Sequence, residues 1–553
     1  MLKINGFSKN NRLMMITALL FILSGVMGSA SWFMVGSEET ASELAVEEEE
    51  QASLDATEGT VSAVHVVAAD EADETSRDDI YMVKGGGKKN KKNKKQKTVL
   101  SEDDSTSEIN NSKKNKKKKD KTTDTHYPTL IGADQLHQQG ITGKAITVAV
   151  LDTGFWEHKT LNKNRNEQNR VLAQYDAIMD SFDPDAVTTD ESGHGAHLTS
   201  IILSSEQANG KYNGVAPDAN LVVVKAFDAN GRASYESVVR GINWIIKNKE
   251  VYNIRVLNLS FSATPQSYYW DDPINQAVMR AWEAGIVVVA AAGNTGPDPM
   301  TIGVPGNVPY IITVGAMTDN YTRENGSDDI LASFSSTGPT VEGFVKPDLV
   351  APGGHLLGYM EDNMTIASQH PEYHFNRMYF TMSGTSQATA VASGVAALML
   401  QADPSLTPDD VKCRLMSSAQ PALNENGELA YSVFQQGTGL VNAYKAVYST
   451  ATGCANKGLN IANDLNGKQH YQGLASQDEN GNYYIPDVDG FVWSGDYASS
   501  DGFVWSGGFV WSGGFVWSGG FVWSGGFVWS GSFDETPTWS ASSASVNQWV
   551  AQE

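Results

Sequence analysis

Ala145-Ile146-Thr147-Val148-Ala149-Val150-Leu151 is an unbroken apolar run, rich in β-branched residues, that stops at Asp152-Thr153-Gly154. Its length and composition, closed by a glycine, predict a buried strand. Open α/β sheets set their chemistry at the carboxyl ends of such strands. Asp152 is therefore a carboxylate delivered to the functional edge of a sheet.

Two later segments supply what a carboxylate at that edge could orient. In Ser192-Gly193-His194-Gly195-Ala196-His197, the glycines let the backbone pass close to its neighbours, and a helix-like run from Leu198 to Leu203 follows. Met382-Ser383-Gly384-Thr385-Ser386-Gln387-Ala388-Thr389-Ala390 leads into Val391, Ala392, Gly394, Val395, Ala396 and Leu398, small and apolar residues suited to a closely packed helix with Ser386 at its amino end. A serine hydroxyl is a poor nucleophile until an imidazole takes its proton, and the imidazole needs a carboxylate to fix its tautomer and stabilise its cation. Asp-Thr-Gly or Gly-Thr-Ser alone is a common turn or helix start. Their order in the chain is more informative, because Asp, His, Ser differs from the orders that the same chemistry takes on chymotrypsin-like and α/β-hydrolase folds. That order, and the lack of a Gly-x-Ser-x-Gly elbow, disfavour a serine esterase. His194 and His197 have glycine and alanine between them at a spacing of three, unlike a zinc-binding helix pair, so His197 is expected to be a buried structural histidine. Pro371 interrupts His370 and His374, which are expected on a surface loop.

From about His126 to Val447 the chain resembles the subtilisin-like (subtilase) serine peptidases. Asp152-Thr153-Gly154, His194-Gly195-Ala196-His197 and Gly384-Thr385-Ser386 are similar to that family's three active-site signatures. Ala290-Ala291-Ala292-Gly293-Asn294 resembles the segment ending in its oxyanion-hole asparagine, which implies that role for Asn294, with the Ser386 amide as second donor. The resemblance also implies that Gly231-Arg232-Ala233 and Ser260-Phe261-Ser262 are edges between which a substrate adds as a strand. Ala291, Gly293 and Gly303 match positions lining the primary specificity pocket, and small residues there imply a preference for a large apolar side chain before the scissile bond. Lys346-Pro347-Asp348-Leu349-Val350-Ala351-Pro352-Gly353 and Gly437-Thr438-Gly439-Leu440-Val441-Asn442 match structural segments. The chain departs from the family at Gln387, where methionine is usual, at Ala390, where proline is usual, and at Ser262, where glycine is usual. Between Gly353 and Gly384 an insertion with Tyr359, His370, Tyr373, His374, Tyr379 and Phe380 is expected to form a rim over the cleft. Relatives are commonly stabilised by calcium, and no liganding cluster can be assigned from the sequence; no cofactor is expected for catalysis.

The expected architecture is a three-layer α/β domain with a mostly parallel central sheet, occupying residues 127–450. Its strands include Thr147 to Leu151, Leu221 to Val224, Val256 to Leu259 and Ile286 to Ala290, with helices such as Ser237 to Lys247 and Pro273 to Ala284 on the faces. Residues 451–489 are expected to be a linker and 532–553 a tail. In an exported protein, Cys413 and Cys454 most simply form one disulfide.

Lys3, Lys9 and Arg12 precede an apolar core from Leu13 to Met27 and the small residues Gly28-Ser29-Ala30, the pattern of a signal peptide over residues 1–30. A secreted protein is expected, with the periplasm or cell surface as alternatives. Residues 31–126 divide into an acidic block with Glu47-Glu48-Glu49-Glu50 and a Lys-rich block spanning Lys88 to Lys97 and Lys113 to Lys119, too polar to order themselves. They read as a soluble tether, or as a pro-segment, since they stand where exported relatives carry one. The net charge of -24 and the lack of groove-reading elements exclude nucleic acid as the partner. Polypeptide substrates and a monomeric enzyme are expected. Gly-Phe-Val-Trp-Ser-Gly occurs at residues 490–495 and then five times in succession over 502–531. The repeats read either as a low-complexity linker expanded by slippage or as an aromatic surface for attachment to a cell wall, glycan or other chain.

Overall fold

The computed structural model of the protein describes residues 123–182, 189–322, 326, 328–376, 378–486, 543–546 and 549–550. The signal-like segment, nearly all of the charged stretch and the aromatic repeats lie outside the described residues.

Thr147–Asp152 forms a strand with every residue buried. It pairs in parallel with Asn220–Lys225 on one side and Ile254–Leu259 on the other. Val171–Asp176 continues the sheet beyond the first, and Val287–Ala291 and Ile312–Thr318 continue it beyond the second, all in parallel. Leu349–Pro352 adds to Ile312–Thr318 in parallel and the short Ile330–Leu331 in antiparallel. From the central strand the chain goes to the edge strand Val171–Asp176, comes back inward to Asn220–Lys225, and then crosses to build on the other side. The central strand is thus at the switch point, where a crevice opens at the carboxyl ends. Asp152 is the last residue of that strand.

Helices complete the three layers. Tyr235–Tyr252 and Pro273–Glu283 pack together on the sheet, and Gly241 lets the first approach so closely that an added methyl would meet Leu151 and Val224. Ser234 and Asp272 cap these helices by accepting amide hydrogen bonds from their first turns, and Pro273 occupies a first-turn position where its missing N–H costs nothing. His194–Leu203 and Thr385–Ala402 also pack on one another. They are buried from His194 to Leu203 and from Thr385 to Leu400, as the small and apolar residues around Ser386 led one to expect. The four expected strands are all present, with ends displaced by one or two residues.

Three regions depart from the sequence reading. Residues 451–486, expected as a linker, carry a helix at Ile461–Leu465 whose Asp464 is buried and accepts hydrogen bonds from Tyr269 at 2.5 Å and Tyr310 at 2.9 Å. The insertion forms a three-stranded antiparallel sheet, Leu356–Tyr359 with Tyr379–Met382 and His374–Phe375. His370 and His374, expected on a loop, flank a 3-10 turn at Pro371–Tyr373, because the fixed φ of Pro371 starts a turn there. The tail supplies a strand, Ser543–Val546. Cys413 and Cys454 form a disulfide with Cα atoms 5.2 Å apart. Among the described residues no helix is long and apolar enough to cross a membrane.

Candidate active site

At the end of the central strand, Oδ1 of Asp152 lies 2.7 Å from Nδ1 of His194, and both side chains are buried. The two segments are stitched together by Asp190, which the sequence reading missed. Its Oδ1 accepts from the Thr153 hydroxyl at 2.8 Å and the Gly193 amide at 2.9 Å, and its Oδ2 accepts from the Ala196 amide at 2.7 Å. The Thr153 hydroxyl in turn accepts from the Gly195 amide at 2.9 Å. Amides at the start of the His194 helix, which have no partner within the helix, are thereby satisfied. Burial raises the Asp190 carboxyl above the usual carboxylate range, while these hydrogen bonds pull it back down. An acid just ahead of a glycine and a helix start is the local signal that could have revealed it.

Ser386 is the second residue of the Thr385–Ala402 helix and is buried. Its hydroxyl donates to the carbonyl of Ser260 at 2.9 Å, and the Ser260 hydroxyl donates to the carbonyl of Ser386 at 3.1 Å. Asn258 supports the Ser260 hydroxyl at 2.9 Å and accepts from Ser393 at 2.9 Å. A polar chain therefore anchors the helix to the strand beneath it. Nε2 of His194 has no hydrogen-bond partner among the described residues. With Nδ1–H directed at Asp152, Nε2 carries a lone pair.

Oδ1 of Asn294 accepts from the Thr385 amide at 2.9 Å and the Thr385 hydroxyl at 2.8 Å, so the side-chain orientation is fixed and Nδ2 points elsewhere. A methyl placed on Gly384 would lie 3.2 Å from that nitrogen and 3.7 Å from the Ser386 amide. Both nitrogens lie beside Gly384, where an added methyl would also come within 2.7 Å of Oε1 of Gln387, so a side chain at this position would crowd all three groups.

The segments expected as cleft edges, Gly231–Ala233 and Ser260–Ser262, overlap short strands at Arg232–Ser234 and Phe261–Ser262. They do not pair directly; Ser543–Val546 lies between them and pairs antiparallel with both. Ala263 and Val304 exchange backbone hydrogen bonds at 2.8 and 2.9 Å, and the Gly303 amide donates to Ala292 at 3.0 Å. Ala291, Gly293 and Gly303 are thus drawn into one wall. Ser262 turns its side chain toward Gly303, where an added methyl would lie 2.9 Å from its Cβ.

His197 is fully buried; its Nε2–H donates to Phe380 at 3.0 Å, leaving Nδ1 to accept from Gln387 at 3.5 Å. Burial, opposed by the Phe380 hydrogen bond, lowers its pKa to about 4, so it is neutral at pH 7. Gln387 thus replaces the usual methionine with a polar contact. Among the described residues, no group of three or more His, Cys, Asp or Glu side chains is placed to hold a metal ion.

Residues 143–508 match the model of the subtilase family, Peptidase S8. The chain is 39% identical over 315 residues to the serine protease AprX of Bacillus subtilis, covering 56% of this chain and 67% of that one. It is 31% identical to subtilisin DY of Bacillus licheniformis, over 57% of this chain and 96% of the relative. A thermostable alkaline protease of Halalkalibacterium halodurans is 35% identical, over 54% and 70% of the two chains. The chain belongs to the subtilase family. It is a subtilisin-like serine endopeptidase, a hydrolase that acts on polypeptides.

Proposed function

We propose that the protein is an exported endopeptidase of broad specificity that works through an acyl-enzyme, with Ser386 as nucleophile, His194 as general base and then acid, Asp152 as its orienting carboxylate, and Asn294 with the Ser386 amide as oxyanion donors. The observation that carries the reading is the buried 2.7 Å contact between Asp152 and His194, with Nε2 of His194 left as an acceptor. The Ser386 hydroxyl swings from the Ser260 carbonyl to Nε2, gives up its proton there and attacks the scissile carbonyl carbon. The oxyanion is held by the two donors beside Gly384. Collapse breaks the C–N bond as His194 returns the proton to the leaving amine, and a water activated by the same imidazole then hydrolyses the ester. The small residues Ala291, Gly293 and Gly303 favour a large apolar side chain before the scissile bond, and Ser262 narrows the cleft. The signal-like residues 1–30 support export.

The test compares the full chain with Ser386→Ala on an unstructured protein, with and without a fluorophosphonate. Cleavage and labelling in the wild type alone are the expected result; a folded wild type that does neither contradicts the reading.

A further inference from the structure

The tail strand stands where a substrate would add. Ser543, Ala544 and Ser545 pair with Ser234, Ala233 and Arg232, while Ser545 and Val546 pair with Ser262 and Phe261. The Val546 amide donates to the Gly231 carbonyl at 2.9 Å. Side chains alternate as strand geometry requires: Ala544 and Val546 are buried in the main core, and Ser543 is exposed. A methyl on Gly231 would run into Val546, so the tail backbone and the cleft wall are in close contact.

Three residues further on, Trp549 stacks on His370 with ring centroids 3.9 Å apart and planes 9° apart, and it meets Tyr373 and Phe380 at 5.4 and 6.0 Å. The cluster it packs against includes Ala196, two residues from His194 on the same helix. One end of the tail thus lies between the edge strands and the other lies on the rim beside the helix that bears His194. Aromatic packing of this kind adds to the affinity that main-chain pairing supplies.

We infer that the carboxyl-terminal tail is an intramolecular occupant of the substrate cleft, with Ser543–Val546 held as the middle strand that a polypeptide substrate would otherwise provide, and that His370, Tyr373 and Phe380 form a subsite accepting an aromatic side chain such as that of Trp549. The inference rests on the reading of Gly231–Ala233 and Ser260–Ser262 as substrate edges. A tethered segment competes at an effective concentration on the order of 1 mM. Even a tail with a dissociation constant of about 100 μM in trans would therefore raise the apparent KM for a short peptide by roughly tenfold.

The test uses the full chain carrying Ala544→Asp and Val546→Asp, substitutions that place charges at the two buried tail positions. The expected result is a several-fold lower KM with kcat unchanged, restored competitively by adding a synthetic peptide of residues 540–553, and the same wild-type KM at every enzyme concentration. Equal KM values in the two proteins would overturn the inference, and a wild-type KM that rose with enzyme concentration would assign the occupant to a second copy. A second readout does not depend on catalysis: in a Ser386→Ala background, the fluorescein-labelled peptide should bind the double variant at least fivefold more tightly than the chain with its native tail. Trp549→Ala in the peptide should weaken that binding, and no loss would remove the aromatic subsite. If the enzyme proves inactive while this binding difference holds, the catalytic reading fails and the cleft occupant stands.

Discussion

Nδ1 of His194 and Oδ1 of Asp152 lie 2.7 Å apart with both side chains buried. The contact sets the imidazole tautomer, and in the proposed mechanism the proton on Nδ1 leaves Nε2 to receive the one from Ser386. Asp152→Asn keeps the shape but offers an amide N–H that favours the opposite tautomer. The expected outcome is a fall in kcat of about 10⁴-fold with KM little changed. Steady-state kinetics on a short peptide check it, and a loss below tenfold would mean that Asp152 does not act through His194.

The Asn294 side chain is held by Thr385 so that its nitrogen and the Ser386 amide converge. Asn294→Leu keeps the volume and removes the donor. The expected loss is about 3 kcal/mol of barrier, roughly 10² to 10³ in kcat, a magnitude taken from subtilisin itself. In the proposed mechanism the donor acts on charge that develops in the transition state, so KM should be nearly unchanged, and a loss confined to KM would argue against the assignment.

The part of this site that was legible in the sequence was local. Asp152 follows a β-branched run, His194 stands among glycines, and Ser386 starts a small-residue helix, so each carries its context within a few neighbours. What was hidden depends on chain-distant pairing. The Ser260 carbonyl under Ser386 is backbone and leaves no side-chain signal. Ser543–Val546 is too short and too mixed to read as a strand until its two partners, more than half the chain away, are brought together. Residues 451–486 look like a linker because their Asn and Gly content is high, yet Asp464 is buried by hydroxyls from Tyr269 and Tyr310 that composition cannot reveal.

Asp190 accepts three hydrogen bonds inside the protein and ties the strand end to the His194 helix. Asp190→Ala leaves those donors buried and unsatisfied, at a cost of about 1–3 kcal/mol for each such group before relaxation. A net loss of about 3 kcal/mol in urea unfolding is expected, together with a lower kcat from a misplaced imidazole. Asp190→Asn retains one acceptor oxygen and should recover part of both. Wild-type stability and kcat in the alanine variant would show that the contacts carry no weight.

His197 connects acidity to stability. Its pKa falls from 6.5 to about 4 on folding, chiefly because burial disfavours the cation. Between those values the unfolded chain binds a proton that the folded chain refuses, so the contribution is complete above pH 6.5 and is lost as pH falls toward 4. The shift corresponds to about 3 kcal/mol at most. His197→Gln keeps a donor for the Phe380 carbonyl and cannot titrate in this range. In a Ser386→Ala background, which prevents self-digestion, the protein with His197 should lose about 3 kcal/mol more between pH 7 and pH 4 than the glutamine variant. Every other titrating group is common to the two proteins and largely cancels in that difference. Parallel stability curves would mean that the imidazole takes up its proton as readily in the folded chain as in the unfolded one, which would remove the role assigned to its burial.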